Sequence, residues 1–539
     1  MRLYLAQINT TVGDFAGNVR RIVSACDDAA AQHCDIILIP ELATTGYPPH
    51  DLLFLSDFLE RTQAAVMEVA DASSRWPDLS IVLGTPERTS AGLHNSAALI
   101  RAGKLLGYVR KTLLPTYDVF DEARYFKPAT GWLLPSWKDI KLGVTICEDL
   151  WDEGYDEKVV PKLTALGANL IVNISSSPFH TGKLRERIAL LKRHAAQSKV
   201  PLAYCNMCGA ETELVFDGGS FAIGRDGRLA AVAPSFVESA LVLEYDEGIQ
   251  DFAGNAQEPA MPREEEMFRA LVLGVRDFHH KQGFRQCALG LSGGIDSSLV
   301  AVIAAHALGP ENVLGVAMPS RITSMESNDD ARELARNLGI EFKEMPIEDS
   351  VRIAEERYAR TFGLHKHTET RENLQARERG KILMEISNDQ GRLVLTTGNK
   401  TEYALGYSTL YGDMCGALAV IGDLNKSEVY AVSRWINEHL RNPIPARVLT
   451  KKPSAELSPG QIDPFNYETV SPLVDALVED QASPKELVRR GYDEVEVKRC
   501  VKLLFASEHK RWQAPPMLRV SRRAFGIGRR MPIVNRFVP

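Results

Sequence analysis

The stretch that constrains this chain most is Gly290-Leu291-Ser292-Gly293-Gly294-Ile295-Asp296-Ser297-Ser298. An apolar run, Gln286-Cys287-Ala288-Leu289, precedes it, and another, Leu299 to Leu308, follows. That context reads as strand, glycine turn, helix. Two adjacent glycines let the backbone turn tightly and point N–H groups inward. With the hydroxyls of Ser292, Ser297 and Ser298 and the positive end of the following helix, they make an anion cradle. Asp296 puts a carboxylate in the same loop, where an anion alone would repel it. A carboxylate beside phosphates implies a divalent cation between them.

The rest of the chain sets bounds on what surrounds this loop. At 539 residues, about two to four domains are expected. With 45% hydrophobic and 25% charged residues, it is of ordinary globular composition. The net charge of −7 argues against a general nucleic-acid binder. No stretch approaches the roughly 18 uninterrupted apolar residues of a membrane span. Met1 to Ile8 reads as a first strand rather than a signal peptide. Eight scattered cysteines without such a signal point to reduced thiols and a cytoplasmic location. Cys205-Asn206-Met207-Cys208 has CxxC spacing but no second ligand pair, so it reads as strand-end packing. His365 and His367 lie among charged residues and do not suggest a metal.

Residues 1–250 alternate short apolar strands with helical stretches. Strand-like runs include Leu3–Ile8, Ile36–Ile39, Ile81–Gly84, Leu142–Ile146, Leu170–Ile174 and Pro201–Cys205; helix-like stretches include Asn18–Gln32, Leu53–Ala70 and Leu184–Gln197. Hairpin signals fall at Arg101-Ala102-Gly103-Lys104 and Gly224-Arg225-Asp226-Gly227. This predicts mixed α/β with two sheets in a layered sandwich. Residues 251–262 lose periodicity and gain glycine, proline and amides, as a linker does. From Arg263 to the C-terminus, strand–helix pairs predict a doubly wound parallel sheet, with Asn312–Met318, Glu341–Met345 and Arg392–Thr396 as strands and Met325–Leu338 and Thr370–Ser387 as helices. Residues 361–372 read as a loop placed to order over a nucleotide. Residues from Pro484 to about Trp512 read as basic amphipathic helix. No internal repeat is evident.

Three places in the first half carry chemistry. Leu38-Ile39-Pro40-Glu41 is a strand ending on a carboxylate, and Val144-Thr145-Ile146-Cys147-Glu148-Asp149 is a strand ending on a cysteine. Between them lies Tyr108-Val109-Arg110-Lys111-Thr112. Functional groups of α/β folds collect at strand ends, so Glu41 and Cys147 are placed to meet. Glu41 can serve as base and later as proton donor to a leaving amine. Lys111 can hold a developing oxyanion and favour the thiolate. Taken singly, each is a weak signal, since a strand-end Glu or Cys is a surface or packing residue more often than a catalytic one. Together they resemble the Glu-Lys-Cys triad of the nitrilase (carbon–nitrogen hydrolase) superfamily, over the whole of residues 1–250. That resemblance implies a four-layer αββα sandwich and amide hydrolysis through a thioester at Cys147. It also implies a second glutamate, for which Glu122 is the candidate, and a glutamine pocket built from Tyr117, Ser177 and Lys183.

The glycine loop has no lysine after Gly294, so it is not a Walker loop, whose lysine serves β/γ-phosphate chemistry. Ser-Gly-Gly-x-Asp-Ser instead resembles the PP-loop of the ATP pyrophosphatases, which implies cleavage of ATP at the α-phosphate and adenylation of an acceptor. Downstream come Thr396-Thr397-Gly398-Asn399-Lys400-Thr401-Glu402, Tyr411-Gly412-Asp413, Gly422-Asp423-Leu424-Asn425-Lys426-Ser427-Glu428 and Pro453-Ser454-Ala455-Glu456-Leu457. In this order they are similar to the NAD⁺ synthetase family. By that resemblance, residues Gly290 to Ser297 and Thr397 bind ATP, and Asp296 and Glu402 hold Mg²⁺. Asn373, Glu402 and Lys510 contact deamido-NAD⁺, with Asp413, Lys426 and Ser454 as weaker assignments.

An amidase joined to an adenylating unit frees ammonia from L-glutamine and supplies a carboxylate for it to attack. Ammonium has no free lone pair, so a shielded path for ammonia is expected. The whole chain resembles the glutamine-dependent NAD⁺ synthetases, which implies a homo-oligomer built on a synthetase-unit dimer. Two rival readings remain: another PP-loop amidotransferase with a different acceptor, and a non-catalytic interaction protein with a relict amidase domain. The basic stretch from Arg519 to Arg530 is open between an interface, a nucleotide contact and a solvated end.

Overall fold

A computed structural model of the chain describes residues 1–537. It divides into two compact units, Met1–Met261 and the residues from Pro262 onward. The first unit opens with β1 (Arg2–Gln7), α1 (Phe15–Ala31), β2 (Ile36–Ile39), α2 (Ser56–Ala72), β3 (Ser80–Thr89), β4 (Gly92–Arg101) and β5 (Lys104–Arg110). It continues with β6 (Ser136–Trp137), β7 (Ile140–Ile146), α3 (Val159–Ala165), β8 (Leu170–Ser175), α4 (Lys183–Ser198) and β9 (Leu202–Asn206). Six short strands close it: β10 (Cys208–Glu211), β11 (Leu214–Asp217), β12 (Phe221–Ile223), β13 (Leu229–Val232), β14 (Ser239–Asp246) and β15 (Asp251–Phe252).

These strands form a seven-stranded sheet, β15-β14-β1-β2-β3-β4-β5, a six-stranded sheet, β13-β12-β9-β8-β7-β6, and the hairpin β10-β11. The inner faces meet in one apolar layer: Leu3, Leu5, Ile36, Leu38 and Val82 from the first sheet against Leu142, Val144, Ile146, Val172 and Cys205 from the second. On the outer face of the first sheet, Val19, Ile22, Val66 and Val69 of α1 and α2 cover Tyr4, Ile37, Ile39 and Ile81. On the other side Leu163, Ile188 and Leu191 of α3 and α4 cover Ile171, Leu202 and Tyr204. The architecture is the four-layer αββα sandwich. Strands buried on both faces read as continuous apolar runs, which is why β2 and β8 are visible in the sequence.

Several expectations shift. The linker expected at 251–262 begins with a strand: Asp251 and Phe252 pair with Asp246 and Tyr245 at the sheet edge, and Phe252 is fully buried. The helix expected over Leu53–Ala70 is broken at Leu55 into a 3₁₀ turn, His50–Phe54, and α2. Both hairpins form, as β4-β5 and β12-β13.

The second unit contains α5 (Arg263–Lys281), β16 (Cys287–Gly290), α6 (Ile295–Leu308), β17 (Val313–Ala317), α7 (Met325–Leu338), β18 (Glu341–Glu344), α8 (Glu348–Phe362) and α9 (Thr368–Gln390). After these come β19 (Leu393–Thr396), α10 (Lys400–Leu405), β20 (Leu418–Ala419), α11 (Lys426–His439), α12 (Ala446–Thr450), α13 (Tyr467–Val478), α14 (Pro484–Arg489), α15 (Glu494–Ala506) and α16 (Glu508–Arg511). Five parallel strands stand in the order β18-β17-β16-β19-β20. The chain steps outward from β16 to β18, then crosses back to β19 on the other side of β16. Such a reversal opens a crevice at the carboxyl ends of the two strands, here β16 and β19, where ligands of this fold class bind. Helix α6 is buried nearly all round, which explains the apolar stretch over residues 299–305. The loop expected at 361–372 shrinks to 363–367 between α8 and α9, and His365 stacks on Tyr358 with centroids 4.2 Å apart.

Candidate functional site

In the first unit, two strand ends and a 3₁₀ turn, Glu122–Arg124, deliver three charged residues to one buried point. Glu41 follows β2 and Lys111 follows β5; neither is more than 1% exposed. The Lys111 ammonium donates to Glu41 Oε1 and to Glu122 Oε1, both at 2.8 Å. Asn95 Nδ2 donates to Glu41 Oε1 at 2.8 Å, and the Ser176 amide to Oε2 at 3.0 Å. Gly84 on β3 makes this approach possible, because a Cβ there would stand 2.1 Å from the Pro40 carbonyl oxygen. Burial opposes the ammonium, but Glu122 and Glu41 outweigh it and hold Lys111 well above the ordinary lysine range. Burial raises Glu122 to about 7 against the pull of Lys111.

Cys147 begins a 3₁₀ turn at the end of β7, with φ +42°. That left-handed backbone is uncommon for a residue with a side chain. It sharpens the exit from the strand, and a single carboxylate holds it. Asp149 Oδ1 accepts the amides of Thr112 and Leu113 at 2.9 Å, and Oδ2 accepts the amide of Ile146 at 3.0 Å. The residues after Lys111 are thereby tied to the residue before Cys147. The expected thiolate is not what this environment favours. Burial pushes the Cys147 thiol well up, Glu41 adds to this, and Lys111 opposes it less. Two carboxylates already share the Lys111 charge, which leaves less of it to offset burial at Cys147.

Next to the thiol lies a carboxylate whose role was not read from the sequence. Glu148 Oε1 accepts the hydroxyls of Tyr117 and Tyr155 at 3.0 and 3.1 Å, and burial raises it to about 7. Lys183 Nζ lies 3.8 Å from the Trp151 ring centroid. The Ser177 amide donates to Asn206 Oδ1, and its carbonyl accepts from Arg187, which is fully buried on Asp217. The Cys-Glu-Asp string was the available signal for both Glu148 and Asp149.

In the second unit, the glycine loop joins β16 to α6 beside the crevice. Gly293 has φ +75°, and a Cβ there would meet the Ser327 carbonyl oxygen at 2.1 Å. No other residue fits. Ser292 and Ser297 pair through their hydroxyls at 3.1 Å, and Gly294 donates its amide to Ser292. Thr397 follows β19 on the other side of the crevice. Asp296 in the first turn of α6 accepts Asn399 Nδ2 at 3.0 Å and Lys426 Nζ at 2.5 Å. Lys426 Nζ also stands 3.6 Å from Glu402. Burial, and then the neighbouring Asp296, raise Glu402 to about 8. Two carboxylates that resist sharing negative charge are suited to a hard divalent cation with oxygen ligands. No group of three or more His, Cys, Asp or Glu is gathered for a metal among the described residues, so phosphate oxygens and water must complete any such shell. These donors fit Mg²⁺.

The other predicted contacts are less direct. Lys510 donates to the carbonyls of Gly406 and Ser408 at 2.7 and 2.6 Å. Asn373 Oδ1 accepts from the Thr409 hydroxyl at 2.8 Å. Asp413, raised to about 6 by burial, accepts the Thr409 amide. Lys426 faces the carboxylate pair. Ser454 donates to the Gln461 carbonyl at 2.6 Å, and its neighbour Glu456 accepts from the hydroxyls of Ser324 and Ser327 at 2.9 Å. That contact sets residues 454–456 beside the Gly293 turn.

A buried Glu-Lys-Cys cluster on a four-layer sandwich, joined to a parallel sheet with a glycine anion loop, defines an enzyme of the amidohydrolase-plus-synthetase kind. Comparison with known proteins agrees unit by unit. The carbon–nitrogen hydrolase family model matches residues 2–253 and the NAD synthase model residues 267–514. The glutamine-dependent NAD(+) synthetase of Synechocystis sp. is 43% identical over 554 residues, covering 99% of each chain. That of Thermotoga maritima is 41% identical, covering 100% of this chain and 99% of its own. The solved glutamine-dependent NAD⁺ synthetase of Acinetobacter baumannii, in complex with ADP, superposes with a TM-score of 0.80 at 35% identity, covering 99% of this chain and 98% of its own. The chain belongs to the glutamine-dependent NAD(+) synthetase family.

Proposed function

We propose that the protein converts deamido-NAD⁺, ATP, L-glutamine and water to NAD⁺, AMP, pyrophosphate and glutamate. The observation that carries this reading is the pairing, in one chain, of the Glu41-Lys111-Cys147 cluster with the lysine-free glycine loop and its Asp296–Glu402 pair. In the first unit the Cys147 sulfur attacks the glutamine carboxamide carbon as Glu41 takes the thiol proton. Lys111 donates to the oxyanion. Glu41 returns the proton to the departing nitrogen, ammonia leaves, and a thioester remains. Glu41 then takes a proton from water, which attacks the thioester and releases glutamate and the thiol. Tyr117, Ser177 and Lys183 frame the amino-acid end of glutamine, and the Glu148 carboxylate is the group available for its α-ammonium.

In the second unit the loop from Gly290 to Ser297 and Thr397 receive ATP. Asp296 and Glu402 would hold Mg²⁺, which when bound neutralises charge on the phosphates. The nicotinate carboxylate oxygen of deamido-NAD⁺ attacks the α-phosphorus and pyrophosphate departs. Ammonia then attacks the carbonyl carbon and AMP leaves. Among the described residues none needs to form a covalent bond here, so positioning and charge neutralisation carry the step. Asn373 and Lys510 are assigned to the deamido-NAD⁺ side through the elements they stabilise. The protein acts as a homo-oligomer built on a dimer of the synthetase unit.

The test is a panel of acceptors offered with ATP, Mg²⁺ and ammonia. Deamido-NAD⁺ should elicit AMP and pyrophosphate in equal amounts, and other carboxylate or base acceptors should not. AMP release with a different acceptor, and none with deamido-NAD⁺, would assign the chain another substrate.

A further inference from the structure

A four-residue string occurs twice in the second unit: Asn399-Lys400-Thr401-Glu402 and Asn425-Lys426-Ser427-Glu428. Both start a helix, and both fold as the same reciprocal cap. Asn399 accepts the Glu402 amide at 3.1 Å while Glu402 accepts the Asn399 amide at 3.0 Å. Asn425 and Glu428 repeat this at 3.0 Å each way. The two turns lie back to back: Lys400 N donates to Leu424 O at 2.8 Å, and Lys426 N to Thr401 Oγ1 at 3.2 Å.

Their side chains cross. Asn399 Nδ2 holds Asp296, and the lysine on that aspartate is Lys426 from the other turn. Asn425 Nδ2 holds Asp475 at 2.6 Å, and the lysine on that aspartate is Lys400, at 3.2 Å. The first pair faces the crevice. The second faces away from it, where Lys400 is fully buried among Asp423, Asp475 and Glu479. The rear cluster is closed by the chain's own C-terminal segment. Asp423 accepts the amides of Val520 and Ser521 at 2.8 and 2.7 Å and the Ser521 hydroxyl at 2.7 Å. Ser521 also accepts from Lys400 at 3.3 Å, and Met517 pairs in parallel with Ala419 beside β20. These residues lie beyond the NAD synthase match, which ends at 514.

We propose that Lys400 and the C-terminal segment 517–523 are positioning elements of the nucleotide site. The rear cluster fixes one of two twinned turns, and through Asn399 and the shared backbone contacts it fixes Asp296 and Glu402 at the front. The basic tail is then neither a nucleotide contact nor a solvated end over these residues, but the strap that seats the cation-binding carboxylates. The inference rests on the proposed function in assigning Asp296 and Glu402 to a divalent cation.

The test uses full-length protein with Asp423→Asn, which places an NH₂ or a single oxygen where two amides and a hydroxyl now donate. Ser521→Ala is the second variant, removing only a hydroxyl if the first does not fold. Mn²⁺ binding in the presence of ATP is read by electron paramagnetic resonance, alongside the melting transition and the KM for ATP. Loss of such supporting partners typically weakens metal sites about 10- to 100-fold. The expected result is Mn²⁺ affinity lowered in that range for Asp423→Asn and less for Ser521→Ala, with ATP KM raised and a cooperative melt retained. Wild-type Mn²⁺ affinity in whichever variant folds overturns the proposal. Failure of the wild-type protein itself to bind Mn²⁺ with ATP would instead remove the cation assignment on which it rests.

Discussion

The two sites are finished to different degrees. In the amidase unit Glu41, Lys111 and Glu122 are buried and bonded through Lys111, and Cys147 is buried within reach of their charges. In the synthetase unit the glycine loop satisfies its hydroxyls internally, Lys426 stands on Asp296, and Lys510 is spent on backbone carbonyls. The contrast follows from the chemistry. A covalent nucleophile must be aligned with its base before substrate arrives, whereas a transfer between two bound substrates takes part of its charge and shape from them.

Mutations should separate the two kinds of site. Cys147→Ala removes the nucleophile, so glutamine-driven NAD⁺ synthesis should fall on the order of 10⁴-fold or more, while ammonia still supports synthesis at the wild-type rate. Parallel loss of both activities would show that Cys147 serves structure rather than attack. Asp296→Asn should lower synthesis from either nitrogen source on the order of 10²- to 10³-fold, with glutamate release still measurable. If ammonia-driven synthesis survives, the cation assignment fails. Gly293→Ala combines a left-handed backbone costing about 1–2 kcal/mol with a contact 2.1 Å from the Ser327 carbonyl. A raised KM for ATP with unchanged glutaminase kinetics is expected, and normal ATP kinetics would place the phosphates elsewhere.

The smallest effect is a pH dependence. Burial raises Glu148 to about 7, so its carboxylate form fills as pH rises through that value. An ammonium prefers the carboxylate, so the KM for glutamine should fall with increasing pH across about 6 to 8. Glu148→Gln should leave a high, flat KM while kcat keeps its profile. The same direction carries a stability sign: Glu148 binds its proton more tightly folded than unfolded, so its contribution to stability declines as pH rises from about 4 to 7.

The fold was legible where burial dictates sequence. Strands β2 and β8 are covered on every side and helix α6 nearly so, and each carries an apolar run. Strand β15 was not, because two residues at a sheet edge carry no period. Glu41 and Cys147 stood out because strand ends gather chemistry, whereas grouping them with Lys111 and Glu122 rested on the resemblance to the carbon–nitrogen hydrolases. The supporting partners were hidden for a physical reason. Asn95 and Lys400 act through hydrogen bonds and ion pairs to residues distant in sequence, and nothing in the residues beside them names those partners. The twinned Asn-Lys-[Thr/Ser]-Glu string was in plain view, but its four residues fall far below the periods at which repeats are sought.

One chain breaks a glutamine C–N bond and spends ATP at the α-phosphorus to remake it on deamido-NAD⁺. A single reaction with amide-¹⁵N glutamine, followed by ³¹P and ¹⁵N NMR, addresses both halves together. The predicted outcome is AMP and pyrophosphate with ¹⁵N in the nicotinamide carboxamide. Formation of ADP and phosphate, or NAD⁺ without the label when glutamine is the only nitrogen donor, would contradict it.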